Sequence, residues 1–159
     1  MKKALPWVIG IIIVMGGLLY WSASFQSNAQ LQFVNESDVA CLPNGHQQIA
    51  VHIHPILSIT VDGMAETIPA NIGITRNCMA EVHTHDSSGT LHIETADASR
   101  LSELSFSHFF DMWEQPIERE GYQLTIKVDG VEVDSVDNVP LRDQAKIELI
   151  YTSESQESA

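Results

Sequence analysis

Five of this chain's seven histidines fall between His52 and Glu94, and with Glu94 they have spacings that a β-strand would turn into a site. His52 and His54 sit in Ile49-Ala-Val-His-Ile-His-Pro-Ile-Leu-Ser-Ile-Thr-Val61, and His83 and His85 in Glu81-Val-His-Thr-His-Asp86. His92 and Glu94 sit in Leu91-His-Ile-Glu94. Each pair is spaced i, i+2, which in a strand puts both side chains on one face, about 6.6 Å apart along the chain. Imidazole-rich, thiolate-poor ligation suits Cu(II) or Zn(II), whereas Ca and Mg want oxygen donors. The pattern predicts a transition-metal site drawn from His52, His54, His83, His85, His92 and Glu94. Met64 and Met79 in the same segment tilt the expected ion toward copper over zinc. The bland alternative is that these histidines sit on half-exposed strand faces and bond only to neighbours. That account suits a lone histidine better than two His-x-His pairs and a His-x-Glu.

The hairpin carrying the last four of these residues has two candidate registers. One sets His83 opposite His92, Glu81 opposite Glu94 and Val82 opposite Ile93. The other makes Gly89 a bulge and sets Thr84 opposite His92 and Val82 opposite Glu94. Turn chemistry favours the bulge. Face consistency favours the first, because it gathers His83, His85, His92 and Glu94 on one side and leaves Val82, Thr84, Leu91 and Ile93 on the other. The first is adopted. Glu81 facing Glu94 would then be repulsive without a cation, a proton or ample water nearby.

The elements that must position these residues read as α+β: a mostly antiparallel sheet with one packed helix, preceded by a single N-terminal transmembrane helix. Ile49 to Val61 alternates as one long strand, with Pro55 marking an edge or a bulge. Asp62-Gly63 reads as a hairpin turn with Met64 to Pro69 returning, and Pro69 to Ile74 as an irregular crossing. Residues 80–85 and Thr90 to Thr95 read as strands. Phe106, Phe109, Phe110 and Trp113 form a helical stripe, with Ser105 as N-cap and Pro116 as terminator. His108 lies off that stripe and reads as solvated. Tyr122 to Asp129, Val131 onward and Lys146 to Tyr151 read as strands. Leu57-Ser-Ile-Thr-Val-Asp-Gly63 and Leu124-Thr-Ile-Lys-Val-Asp-Gly130 match in pattern, suggesting duplicated hairpin units over 49–69 and 122–136.

Before the domain, Lys2 and Lys3 precede an uncharged run from Ala4 to Trp21, flanked by Trp7, Tyr20 and Trp21. A spanning helix needs about 17–25 apolar residues, and aromatic residues favour both interfaces. Residues 1–21 therefore read as a signal anchor, with cleavage near Ser22-Ala23-Ser24 as the alternative. Either way the rest of the chain is exported, to the periplasm or the cell exterior. Residues 22–40 read as a polar linker, 41–151 as the His-rich domain and 152–159 as a disordered tail. The whole chain has 8 Lys and Arg, two of them in the anchor, against 21 Asp and Glu. Such acidity argues against nucleic acid and against anionic lipid beyond the span itself. The expected partners are a metal ion and a membrane engaged through residues 4–21. Cys41 and Cys78 are the only cysteines. In an oxidising compartment they are expected to pair; thiolate ligation by Cys78 beside Met79, or two unpaired thiols, are the alternatives.

His52-Ile-His-Pro-Ile-Leu, Ile68-Pro-Ala-Asn-Ile-Gly-Ile74, His83-Thr-His-Asp-Ser-Ser-Gly89, His92-Ile-Glu94 and Phe109-Phe-Asp-Met-Trp113 together resemble blocks of a bacterial and archaeal family of small exported or membrane-anchored proteins. The likeness runs from about Cys41 to Tyr151. It implies a shared architecture and names no activity. In that family's pattern a further histidine often follows the proline of the first block, where this chain has Ile56, so the resemblance implies a reduced or altered site here.

The preferred function is thus extracytoplasmic, membrane-anchored binding of copper or zinc. The alternatives are an enzyme with a His-ligated metal and Glu94 or Glu81 as general base, and a non-catalytic, pH-responsive interaction module.

Overall fold

In the computed structural model, residues 33–34, 37–43 and 45–154 are described. The expected anchor, most of the linker and the last five residues lie outside them. The first surprise falls in the long His-bearing strand, which is two strands. β1 (Val51–Ile53) and β2 (Ile56–Val61) are separated at His54-Pro55. Proline has no N–H for a ladder, and here the chain uses that break to pass from one sheet to another. β1 joins a three-stranded sheet in the order β1-β5-β4, where β4 is Val82–His83 and β5 is His92–Thr95. β2 joins a five-stranded sheet in the order β3-β2-β8-β6-β7.

That larger sheet is built from β3 (Met64–Glu66), β6 (Tyr122–Val128), β7 (Val131–Val133) and β8 (Lys146–Ser153) around β2. The two repeated segments are its two hairpins, β2–β3 and β6–β7. In each, the Asp-Gly turn has both residues at positive φ: Asp62 at 50° and Gly63 at 79°, Asp129 at 51° and Gly130 at 79°. This is the backbone of a type I′ turn, whose twist matches that of its strands. β8 runs between the hairpins, antiparallel to β6 but parallel to β2. The sheets are mostly antiparallel, as the sequence suggested, and the β2–β8 pair is the one parallel pairing among the described strands. Because β2 and β6 meet β8 in opposite senses, the equivalent aspartates sit at its opposite ends. Asp62 accepts from the Ser153 N–H at 2.8 Å, and Asp129 from the Lys146 N–H at 3.0 Å.

The core follows from strand and helix periodicity. Ile147, Leu149 and Tyr151 alternate inward along β8, joined by Leu57 and Ile59 of β2 and Ile126 and Val128 of β6. Among the described residues one α-helix is present, α1 (Ser107–Trp113), and its Phe106, Phe109 and Phe110 stripe enters the same core. Each such side chain contributes about 1.5–3 kcal/mol when fully buried. Ser105 is not the N-cap: Phe106 takes that position, and α1 stops at Glu114, in the left-handed region at φ 56°, before Pro116 is reached. Val82, Leu91 and Ile93 of the small sheet also face the core, so its other face is left for polar side chains. The folded unit starts upstream of Cys41, since Val39 and Ala40 are fully buried.

Candidate metal centre

The small sheet settles the hairpin register: Val82 pairs with Ile93 and His83 with His92. β1 lies on the far side of β5, where His52 pairs with Glu94 and Ile53 with Ile93. With side chains alternating, Ile53, Val82 and Ile93 share the core face, while His52, His83, His92 and Glu94 share the opposite one. Gly89 does adopt a left-handed conformation, at φ 84°, but not as a hairpin bulge. Its carbonyl accepts from the Leu57 N–H at 2.8 Å, and Leu91 donates to Pro55 at 2.9 Å. A Cβ at Gly89 would lie 2.2 Å from the Leu57 carbonyl oxygen, so glycine is what permits this close approach. The 84–91 loop is thus pinned to the junction of β1 and β2, and the His92 ring lies 4.7 Å from that of His54.

A sixth histidine completes the cluster. His46 lies in the turn that precedes β1, outside any strand. Its ring centroid is 5.2 Å from that of His85, 5.9 Å from His83 and 6.4 Å from His52. The turn is held there by an antiparallel ribbon: Cys41 bridges Ala80, the Leu42 N–H donates to Met79 at 2.7 Å, and Glu81 donates to Ala40 at 2.9 Å. The Cys41–Cys78 disulfide, with Cα atoms 5.2 Å apart, ties the same ribbon covalently. Neither cysteine is a ligand, which removes the thiolate alternative. Met64 is no closer: it is 76% exposed at the far end of β2, about 17 Å along the strand from Ile56.

Glu94 is the centre of the arrangement, fully buried among the imidazoles. Its Oε2 lies 2.8 Å from His46 Nδ1. Its Oε1 lies 2.9 Å from His52 Nε2 and 3.5 Å from His92 Nδ1, but neither approach is aligned as a hydrogen bond. Glu94 Oε1 and His92 Nδ1 are therefore buried polar atoms without a hydrogen-bond partner. Such atoms cost roughly 1–3 kcal/mol each unless something satisfies them. His83 is also fully buried. Its Nδ1–H donates to the Ala80 carbonyl at 2.8 Å, which leaves a bare lone pair on Nε2, and that nitrogen lies 3.2 Å from His85 Nε2. Two nitrogens bound at about 2.0–2.1 Å to one tetrahedral ion are about 3.3 Å apart. Burial pushes the His83 pKa down to about 4, even though the Ala80 carbonyl and the Glu94 carboxylate favour the proton. Burial also lowers that of His92, followed by the neighbouring His85 and His54. Imidazoles held neutral are imidazoles able to donate a lone pair.

Three groups of donors could hold a metal ion: His46, His83 and His85; His52, His54 and His92; and His83, His92 and Glu94. Within each, the ligand atoms all lie within 4.8 Å of one another. All six residues singled out from the sequence are brought together, with His46 the one sequence reading missed. Glu81 is not part of this face chemistry. Arg100 holds it through Nε and Nη2, at 3.2 and 2.7 Å, and the Ala40 N–H donates to it at 3.0 Å. That buried guanidinium is the cation the Glu81–Glu94 pairing required. His108 is half-buried rather than solvated, and its Nδ1 accepts from the Ser105 N–H at 3.0 Å at the start of α1. No family model, curated protein or solved structure matches this chain.

Proposed function

We propose that this protein binds a borderline divalent transition metal, Cu(II) or Zn(II), in an extracytoplasmic domain held at the membrane by residues 4–21. The observation that carries the reading is the buried Glu94 carboxylate with Oε1 unpartnered amid six imidazoles. A carboxylate so placed needs a cation or proton donors, and the lone pairs around it are those of metal ligands. The donors in these groups are nitrogen and oxygen, a set that suits Cu(II) and Zn(II) alike. The disulfide supports the exported placement, because such bonds persist in oxidising compartments.

The enzyme reading has less behind it. Glu81 is committed to Arg100, and Glu94 is enclosed as a ligand would be rather than poised beside an open position. Against a pH-responsive surface stands His83, which is fully buried rather than at the surface and whose pKa burial lowers to about 4.

The test is metal content and competition titration on the untagged full-length chain in detergent, beside a His83→Ala/His85→Ala variant. Wild type should retain the ion stoichiometrically, and the variant should bind it roughly a hundredfold or more weakly. Binding by wild type no tighter than by the urea-unfolded chain would sink the proposal.

A further inference from the structure

We infer that the cluster is built for two divalent ions bridged by the Glu94 carboxylate, which rests on the metal-binding reading above and adds its nuclearity. Two of the donor groups share no residue: His46, His83 and His85 on one side, His52, His54 and His92 on the other. Glu94 touches both, and it does so with different oxygens. Oε2 faces His46 of the first group at 2.8 Å, and Oε1 faces His52 and His92 of the second at 2.9 and 3.5 Å. A carboxylate turned this way is a bridge, with one lone pair available to each ion.

The donor count fits the same picture. Each ion would take three imidazole nitrogens, and Glu94, which groups with one histidine of each triad (His83 and His92), lies between them to supply the fourth donor of each tetrahedral centre. A single ion at His83, His92 and Glu94 would leave four histidines uncommitted around it. Among these, His46 and His52 already lie 2.8 and 2.9 Å from the glutamate oxygens, and His85 Nε2 lies 3.2 Å from His83 Nε2. One histidine in each group is also oriented from behind. His83 Nδ1 donates to the Ala80 carbonyl. His54 Nδ1 lies 3.4 Å from Asp143 Oδ1, which accepts from the His54 backbone N–H at 2.8 Å. Such outer partners fix a ring so that its remaining nitrogen faces the ion. Two divalent ions on six neutral imidazoles and one carboxylate carry net positive charge, for which the acidic rim residue Asp143 is suited. Closed coordination on both ions favours holding or handing over metal rather than activating water.

The experiment is stoichiometry and magnetic coupling on the untagged full-length protein. His46→Ala/His85→Ala removes exposed donors from the first group only. His52→Ala/His54→Ala removes donors from the second group, at the β1–β2 junction. Circular dichroism checks that both variants keep the fold, and a Glu94→Gln variant removes the bridge. Wild type should take up two equivalents of Cu(II) or Zn(II) and each double variant one. Loaded with Cu(II), wild type should lose most of its paramagnetic resonance intensity to coupling, while each double variant should show a full one-spin signal. Glu94→Gln should recover uncoupled signal. Wild type saturating at one equivalent, either double variant falling to zero, or two ions without coupling would each overturn the bridged pair while leaving metal binding intact. No uptake at all would sink the metal reading itself.

Discussion

Burial decides which protonation state of His83 the fold selects. With the ring fully enclosed and its pKa pushed down to about 4, the folded protein resists a proton that the unfolded chain accepts near 6.5. Between those values the unfolded state binds more protons, so the stability this residue contributes is fully present above pH 6.5 and is lost as the pH falls toward 4. His92, lowered for the same reason, acts with the same sign. Urea unfolding of the metal-free protein should show a loss of about 2 kcal/mol from His83 alone between pH 7.5 and pH 5, above most carboxylate titration. In His83→Asn the dependence should flatten, and an unchanged pH profile in that variant would refute this account. At this scale the sequence was legible where spacing carried information. Strand alternation fixed the common face of His83, His92 and Glu94 and of His52 beside them. His46 was not legible, because a turn residue has no periodic neighbour and reaches the cluster only through a ribbon formed by residues far along the chain. The identity of the cation beside Glu81 was hidden for a related reason: Arg100 comes from a 3-10 turn beyond the hairpin.

Elements set those residues at their spacing, and glycines set how closely the elements approach. A Cβ at Gly73 would sit 2.5 Å from the Val82 carbonyl oxygen and 3.2 Å from His83 Cβ, at a φ of 72°. Gly63 has a comparable φ, 79°, but open space around it. Alanine at either position pays the left-handed strain of roughly 1–2 kcal/mol. Only at Gly73 must the backbone of β4 also move. Gly73→Ala should therefore cost about 2 kcal/mol or more and weaken metal binding, while Gly63→Ala should cost only the strain and leave affinity alone. Thermal denaturation with metal titration on both variants checks this; equal affinity losses would show that the path through β4 is wrong. The hairpins and the helix stripe were readable from local pattern, since Asp-Gly turns and i, i+3, i+4, i+7 aromatics act over a few residues. The division of Ile49 to Val61 between two sheets was not, nor the parallel pairing of β2 with β8. Pro55 announced a discontinuity, but the partner of β1 lies about forty residues further along the chain and that of β2 about ninety.

For the whole molecule, the question is what closes the site, since its donors come from segments spread between His46 and Glu94. The ribbon that carries His46 is joined to β4 twice over. The Cys41–Cys78 disulfide spans a separation of 37 residues, and Glu81, held by Arg100, receives the Ala40 N–H. In the chain-entropy model a loop of that length stabilises the fold by roughly 3–4 kcal/mol. Cys41→Ser/Cys78→Ser should lose about that much, yet remain folded below its lowered midpoint because the Glu81 and Arg100 bonds persist. Its effect on metal should be selective. His46 would no longer be held beside Oε2 of Glu94, whereas His52 and His54, carried on β1 and the bend after it, would keep their places. A double-mutant cycle separates the two effects. With the disulfide intact, His46→Ala should lower affinity for one equivalent by roughly tenfold or more; in the Cys41→Ser/Cys78→Ser background the same substitution should cost much less. Equal costs in both backgrounds would mean that the disulfide serves stability alone and that the turn positions His46 without it.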